Sequence, residues 1–329
     1  MSDTVSKANI RFQRTVLIIG TVVLGLKFFS WYLTHSNAIL TDALESIINV
    51  VAGAFALWSL VIASRPKDTD HPYGHGKVEF LSSGLEGAFI ALAGVYMAGK
   101  AVYNFFYPIE VHSLDIGIAI TAFTGIVNYI LGFYLNKKGE KSNSHAMMAE
   151  GKHLQSDAWS SAGLLAGLFL IFLTKIIWLD NVVAILLGIY IFYIGYKLIR
   201  TSLAGIMDEA DVHLIEELIA IMNENRRSNW VDIHNLRVIK YGSKLHVDCH
   251  ITLPWFLNLR ESHDEAEKLD KLINTQKQGD IEFFIHTDPC IPTSCKICQK
   301  NDCTVRQFAV EHKIEWKLEN VLSNKKHGS

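Results

Sequence analysis

Charge is what this chain has least of. Asp, Glu, Lys and Arg make up 19% of its 329 residues and the formal net charge is -2, so no basic surface is available and no nucleic-acid partner is expected. Basic residues are missing from particular places too: the stretches 34–37, 107–113 and 176–179, each of which joins two apolar runs, hold no lysine or arginine. Nor does a small-residue cleavage site follow the first apolar run. Lys27 interrupts that run and further runs come after it, so it reads as a retained span rather than a removable signal.

Apolar sequence is what the chain has most of. Half of its residues are hydrophobic, and runs of about 20 residues, the length that crosses the hydrocarbon core, lie near 15–33, 39–63, 80–106, 115–135, 150–174 and 180–199. Six membrane spans are expected. Lysine and arginine gather in the alternate loops: Lys7, Arg11 and Arg14 precede the first span, Arg65, Lys67 and Lys77 follow the second, and Lys137, Lys138 and Lys141 follow the fourth. By the positive-inside bias both termini are expected to face the cytoplasm, an arrangement that with short loops suits a bacterial inner membrane.

Two of these runs carry polar groups that lipid would not tolerate. His153 and Asp157 stand four residues apart on one helical face of the fifth run. In the second, Asp42, Glu45 and Asn49 follow i, i+3, i+7 spacing and form one stripe. Ionisable groups at membrane depth mark ion paths, proton relays or buried pairs. If the two helices face each other, an imidazole, two carboxylates and an amide oxygen converge as a four-coordinate site for a divalent metal. Glu86 in the third run reads as facing the bundle, Lys100 and Lys197 as snorkelling. Gly84, Gly87, Gly94, Gly163, Gly167 and Gly188 permit close helix approach.

Past Arg200 the composition changes to that of a small soluble domain. Residues 212–222 have helical apolar spacing with Asp208 and Asp211 as caps, 231–239 and 245–253 read as strands, 261–274 as a helix and 281–286 as a third strand. The order helix, strand, strand, helix, strand predicts an α+β domain with helices on one face of a small sheet. Cys249 falls on the apolar face of its strand and is expected in the core. The expected division is a mobile cytoplasmic arm (1–10), a six-helix transmembrane domain (11–204), a cytoplasmic domain (205–289) and a cysteine-containing extension (290–329).

Two further motifs have metal-binding chemistry. The loop after the second span carries His71 and His75 with Asp68 and Asp70, two histidines and up to two aspartates that read as a surface metal site or as loop histidines that bind nothing. Cys290, Cys295, Cys298 and Cys303 form C-x4-C-x2-C-x4-C. In a reducing cytosol this spacing favours thiolate binding of a structural zinc ion, with ordinary reduced thiols or a redox role as the alternatives.

Together, His71-Pro72-Tyr73-Gly74-His75-Gly76-Lys77 with Glu79, the Ala38-Ile39-Leu40-Thr41-Asp42-Ala43 segment, the His153/Asp157 pair and His286-Thr287-Asp288-Pro289 resemble the cation diffusion facilitator family over about residues 10–289. The resemblance implies a homodimeric divalent metal/proton antiporter, a transporter rather than an enzyme, with a six-helix membrane bundle and a cytoplasmic metallochaperone-like αββαβ domain. It implies a transport site at Glu45, Asn49, His153 and Asp157, with Asp42 as an accessory carboxylate, and a loop site at Asp68, His71 and His75. It further implies a cytoplasmic regulatory site at His234, His250, His286 and Asp288 with His263 as an addition, and a Lys77–Asp208 charge pair. Family members of well-defined zinc specificity usually have aspartate or histidine where Glu45 stands and aspartate where Asn49 stands. Zn2+ is the expected cargo, and Mn2+ or Fe2+ the alternative that three oxygen donors favour. A membrane-anchored metal sensor is a rival reading; a hydrolase lacks a general base beyond the ligands.

Overall fold

Six long helices account for the first two-thirds of the chain in the computed structural model, which describes residues 2–34, 37–107, 114–174, 178–242, 244–277 and 281–327. Some helical side chains within these ranges, those of 37–45 among them, also lie outside the described set. The chain divides into two units, Met1–Met207 and Asp208–Ser329.

The first unit consists of α1 (Ser2–Thr34), α2 (Asn37–Ala63), α3 (Val78–Phe106), α4 (Leu114–Ser142), α5 (His145–Thr174) and α6 (Trp178–Ile206). At about 1.5 Å per residue each is roughly 40–50 Å long, more than the ~30 Å hydrocarbon core needs. Among the described residues, Val5–Phe29, Val78–Phe106 and Asn181–Ile206 are long and apolar enough to cross a membrane, with a shorter apolar stretch at Asn49–Ala63. The burial pattern is that of a helical unit solvated by lipid. Leu26, Phe29, Leu92, Tyr96, Ile189 and Tyr193 point outward while Ser82, Ser83, Glu86 and Ser202 are buried. Lys100 and Lys197 are exposed, and Glu86 faces inward as expected.

Helix α1 starts at Ser2, so the polar stretch expected to be a mobile arm is helical. The reason is a distant partner: Lys138 of α4 donates to the Ala8 carbonyl at 2.8 Å and lies 4.4 Å from the Phe12 ring centre. Glycine governs the approach of α3 to α6. A Cβ on Gly94 would stand 2.6 Å from the Gly188 carbonyl oxygen, and one on Gly188 would stand 2.8 Å from that of Gly94, so these backbones touch where no side chain could fit.

In the second unit, α7 (Val212–Glu224), β1 (Asp232–Tyr241), β2 (Lys244–Leu253), α8 (Leu259–Lys277) and β3 (Ile281–Pro289) reproduce the expected order. A 3-10 turn at Pro292–Lys296 and the single-turn α9 (Leu318–Val321) follow. The sheet order is β1-β2-β3, antiparallel then parallel, with α8 as the crossover. Both helices cover one face: Ile215, Leu218 and Met222 of α7 and Leu269 and Ile273 of α8 pack on Ile233, Val247, Cys249 and Ile251. Cys249 is in the core, and burial pushes its thiol up. Residues 234, 250 and 286 pair directly across the three strands, so three histidines form one row on the sheet, and Asp232, Thr252 and Asp288 form the next.

Asp211 caps α7 through the Leu214 amide at 3.1 Å and also pairs with Lys240. Burial raises its carboxyl, but these partners outweigh it and hold the group below its ordinary value. A depressed carboxylate contributes stability above its unfolded value, about 3.9, and loses it as pH falls through the folded one. Asp211→Ala is expected to cost about 1 kcal/mol, seen as faster hydrogen exchange of the α7 amides in the full-length protein at neutral pH, with a smaller difference near pH ~3.5.

Candidate metal centres

Three groups of ligand-type side chains were legible in the sequence, and each is placed by a different element. In the first unit, one turn of α5 sets His153 and Asp157 on the face that meets α2. His153 Nε2 lies 3.0 Å from Asn49 Oδ1 and 3.9 Å from Asp157 Oδ2, and Asn49 Nδ2 donates to that same carboxylate oxygen. His153 is 4% exposed, and its Nδ1 is buried without a hydrogen-bond partner. An imidazole nitrogen, an amide oxygen and a carboxylate oxygen thus meet between two helices. The side chains of Glu45 and Asp42 lie outside the described residues.

The same face of α5 carries a group that sequence reasoning missed. Glu150 is buried, with Oε2 unpartnered, and precedes His153 by three residues and Asp157 by seven, so helical spacing alone would have put it on the stripe. With Asn49, Asn128 and Ser46 it lines a cavity of about 30 Å³, large enough for a water molecule.

In the loop before α3, Asp68 takes His71 Nδ1 at 3.0 Å on one oxygen and His75 Nε2 at 3.3 Å on the other. Gly74, with φ +87°, turns the chain so that its amide meets the His71 carbonyl at 2.9 Å and both rings reach one carboxylate. Asp68, His71 and His75 offer ligand atoms within 4.8 Å of one another.

His234, His250 and Asp288 do the same in the second unit. Asp288 Oδ2 is 3.0 Å from His250 Nδ1 and 3.4 Å from His234 Nε2. His286 stands at the edge of this trio: it is largely exposed, with Nε2 3.8 Å from Asp288 Oδ1. His263 is exposed on α8 and is not brought into the group. Lys77 and Asp208 fall in different units, and the charge pair between them remains an expectation.

The cytoplasmic trio has partners that the sequence did not announce. Lys326 Nζ is 3.2 Å from Asp288 Oδ1, and His327 holds Asp232 through its ring and through its amide at 2.9 Å. Asp232 in turn lies 3.4 Å from His234 Nδ1, behind the nitrogen that faces the trio. Such a carboxylate fixes the tautomer and orientation of a metal-binding imidazole. Burial pushes the Asp232 carboxyl up, but its histidine partners prevail and hold it below the ordinary value; His327 is raised by Asp232. For Asp288 the contacts with His250 and Lys326 likewise outweigh burial.

A buried imidazole beside a half-buried amide and carboxylate in an apolar helical unit, joined to a small α+β unit with its own histidine–carboxylate trio, defines a membrane protein that handles metal cations. Residues 14–207 match the cation efflux transmembrane domain and residues 198–290 the cation efflux protein cytoplasmic domain. The chain belongs to the cation diffusion facilitator family. It is 32% identical to an uncharacterised transporter of Synechocystis, over 83% of this chain and 89% of the relative. It is 26% identical to the cation-efflux pump FieF of Salmonella schwarzengrund, over 90% and 98%, and 27% identical to the manganese efflux system protein MneP of Bacillus subtilis, over 83% and 93%.

The Lys326 ammonium sits on Asp288 Oδ1, the second oxygen of the carboxylate whose Oδ2 faces the two imidazoles, and so neutralises charge that an incoming cation would otherwise meet. Lys326→Met is expected to tighten divalent metal binding at the trio several-fold. Competitive titration of the full-length protein checks this, with His250→Ala used to subtract binding elsewhere; equal affinities would mean that the ammonium does not compete.

Proposed function

We propose that this protein exports a divalent transition-metal ion from the cytoplasm, Zn2+ first, in exchange for protons. It does so by alternating access through a homodimer of six-span bundles, with both termini cytoplasmic. The ion is held by Glu45, Asn49, His153 and Asp157, with Asp42 as the accessory carboxylate. The contact that carries this reading is His153 Nε2 against Asn49 Oδ1 and Asp157 Oδ2, because it sets a buried imidazole nitrogen beside two oxygen donors. An imidazolium donates through Nε2, and a metal ion at that point needs the same lone pair. Metal binding therefore expels the proton, and protonation from the far side expels the metal. The trio of His234, His250 and Asp288, with His286 beside it, and the loop site of Asp68, His71 and His75 are regulatory or delivery sites for the same cargo.

Zn2+ is favoured by imidazole with carboxylate. The amide oxygen of Asn49 favours the harder Mn2+ or Fe2+, and one relative is named for manganese efflux. Uptake into proteoliposomes with and without a pH gradient, run across these metals, tests the reading. His153→Ala and Asp157→Ala are expected to insert and dimerise normally but to cut gradient-driven uptake at least tenfold, about 1.4 kcal/mol. Wild-type rates in either variant would remove the site assignment, and binding without gradient-driven uptake in the native protein would favour a sensor.

Asn49→Asp adds a carboxylate against His153. It is expected to tighten divalent binding about tenfold and to shift the pH profile of uptake upward, because added negative charge favours the protonated imidazole. A metal series and pH profile indistinguishable from those of the native protein would place Asn49 outside the coordination sphere.

A further inference from the structure

Neither family match extends past residue 290, yet the chain continues in an ordered extension. Between the 3-10 turn at Pro292–Lys296 and α9 there is no helix or strand. An irregular stretch of this length has no ladder of backbone hydrogen bonds to define it. Its ends are nevertheless fixed. Trp316 is 1% exposed, sits 4.1 Å from the Arg226 guanidinium, and takes the Asn223 side chain on its carbonyl at 2.7 Å. Ile297 and Cys298 are buried against Val231 and Ile314.

The four cysteines lie in the half of this extension that regular structure supports least. Cys290 is anchored as β3 ends, its amide donating to the Leu253 carbonyl at 2.8 Å. The C-x-x-C step folds back on itself, with the Cys298 amide 3.4 Å from the Cys295 carbonyl. Arg306 then binds the carbonyls of Cys295, Cys298 and Lys300 at 3.0, 3.2 and 2.8 Å, so one guanidinium clasps the loop that carries three of the thiols. Cys290 is close enough to Cys295, Cys298 and Cys303 that each acts on it electrostatically, and all four are free of disulfides. Small irregular domains with too little core are usually stapled by metal or disulfide, and the cytoplasmic side excludes the second.

We propose that Cys290, Cys295, Cys298 and Cys303 hold one structural Zn2+ ion that closes the extension onto the cytoplasmic unit, separate from the transported metal. Four thiolates complete a tetrahedral shell and leave no open position, the mark of a structural rather than a cargo site. Soft sulfur donors also select zinc over the manganese or magnesium that oxygen sites accept. Among the described residues, no three of the sulfurs come within the 4.8 Å that gathers each of the two histidine–carboxylate trios. Coordination at ~2.3 Å would have to draw them together, and metal binding of this kind is coupled to folding. Since Cys290 lies two residues beyond Asp288, the ion would also fix the end of the strand that carries His286 and Asp288.

The test is the metal content of full-length protein purified in detergent and dialysed against a chelator that strips the histidine sites. About one zinc per chain is expected to survive in the native protein and in His250→Ala, and to be lost in Cys295→Ser/Cys298→Ser. Should the double variant fail to fold, a mercurial titration of the native protein gives the same answer, one zinc released for every four thiols modified. Four freely reactive thiols with no retained zinc, or the coloured absorption of an iron–sulfur cluster, would overturn the proposal.

Discussion

Lipid offers no hydrogen bonds, so a polar side chain turned into the helical bundle is stabilised by a partner on a neighbouring helix. That constraint explains which helices belong together. Lys27 of α1 donates to Ser46 of α2 at 2.7 Å, Asn49 of α2 meets His153 and Asp157 of α5, and Asn136 of α4 donates to Gln155 of α5 at 2.9 Å. Four helices are therefore tied by polar contacts that converge on α5. The pair α3 and α6 combines glycine-to-glycine backbone approach at Gly94 and Gly188 with a buried hydrogen bond from the Ser202 hydroxyl to the Phe80 carbonyl. The seam is thus packed by dispersion at one level and pinned by a polar contact at another.

The two units also hold their ligand groups with different stiffness. In the cytoplasmic unit the trio stands on paired strands, where register fixes His234 opposite His250 and His250 opposite His286. Behind it, His327 holds Asp232, whose carboxylate lies 3.4 Å from His234 Nδ1. Lys326 puts an ammonium beside the half-buried Asp288, and the buried Asp232 carboxylate raises His327. Neither imidazole makes a hydrogen bond through Nδ1: that of His234 has the Asp232 carboxylate 3.4 Å behind it, and that of His153 is buried without a hydrogen-bond partner among the described residues.

Local periodicity made much of this readable. The 3.6-residue repeat placed His153 and Asp157 on one face, and strict alternation in 245–253 put Cys249 in the core and His250 outside it. Glu150 obeys the same helical repeat, three residues before His153, but a single glutamate one turn away from an i, i+4 pair carries no distinguishing sequence signal. What periodicity cannot carry is the meeting of distant segments. The row of histidines depends on a register that shifts between His234 and Arg237, and a single strand does not reveal that shift. The return of Lys326 and His327 to Asp288 and Asp232 has no local signal at all. Residues 1–10 were taken for a mobile arm on polarity, whereas their helix is held by Lys138, whose partner carbonyl lies 130 positions away in the sequence.

Asn49 gains a physical reason from charge. With Asp42 and the neighbouring Glu150 in their protonated forms, Glu45 and Asp157 contribute two negative charges among the four proposed ligands, and His153 and Asn49 none. A loaded divalent ion therefore brings the sum to zero, and so does the uptake of two protons. Both carried states would be neutral, and a neutral cluster avoids most of the solvation cost that a net charge meets in a low-dielectric bundle. A carboxylate at position 49 would bind the ion more tightly but leave the loaded site negative, raising the cost of turning it toward the other side. On this argument the amide trades affinity for turnover, and it favours a transporter that works where its metal is plentiful over one that scavenges traces.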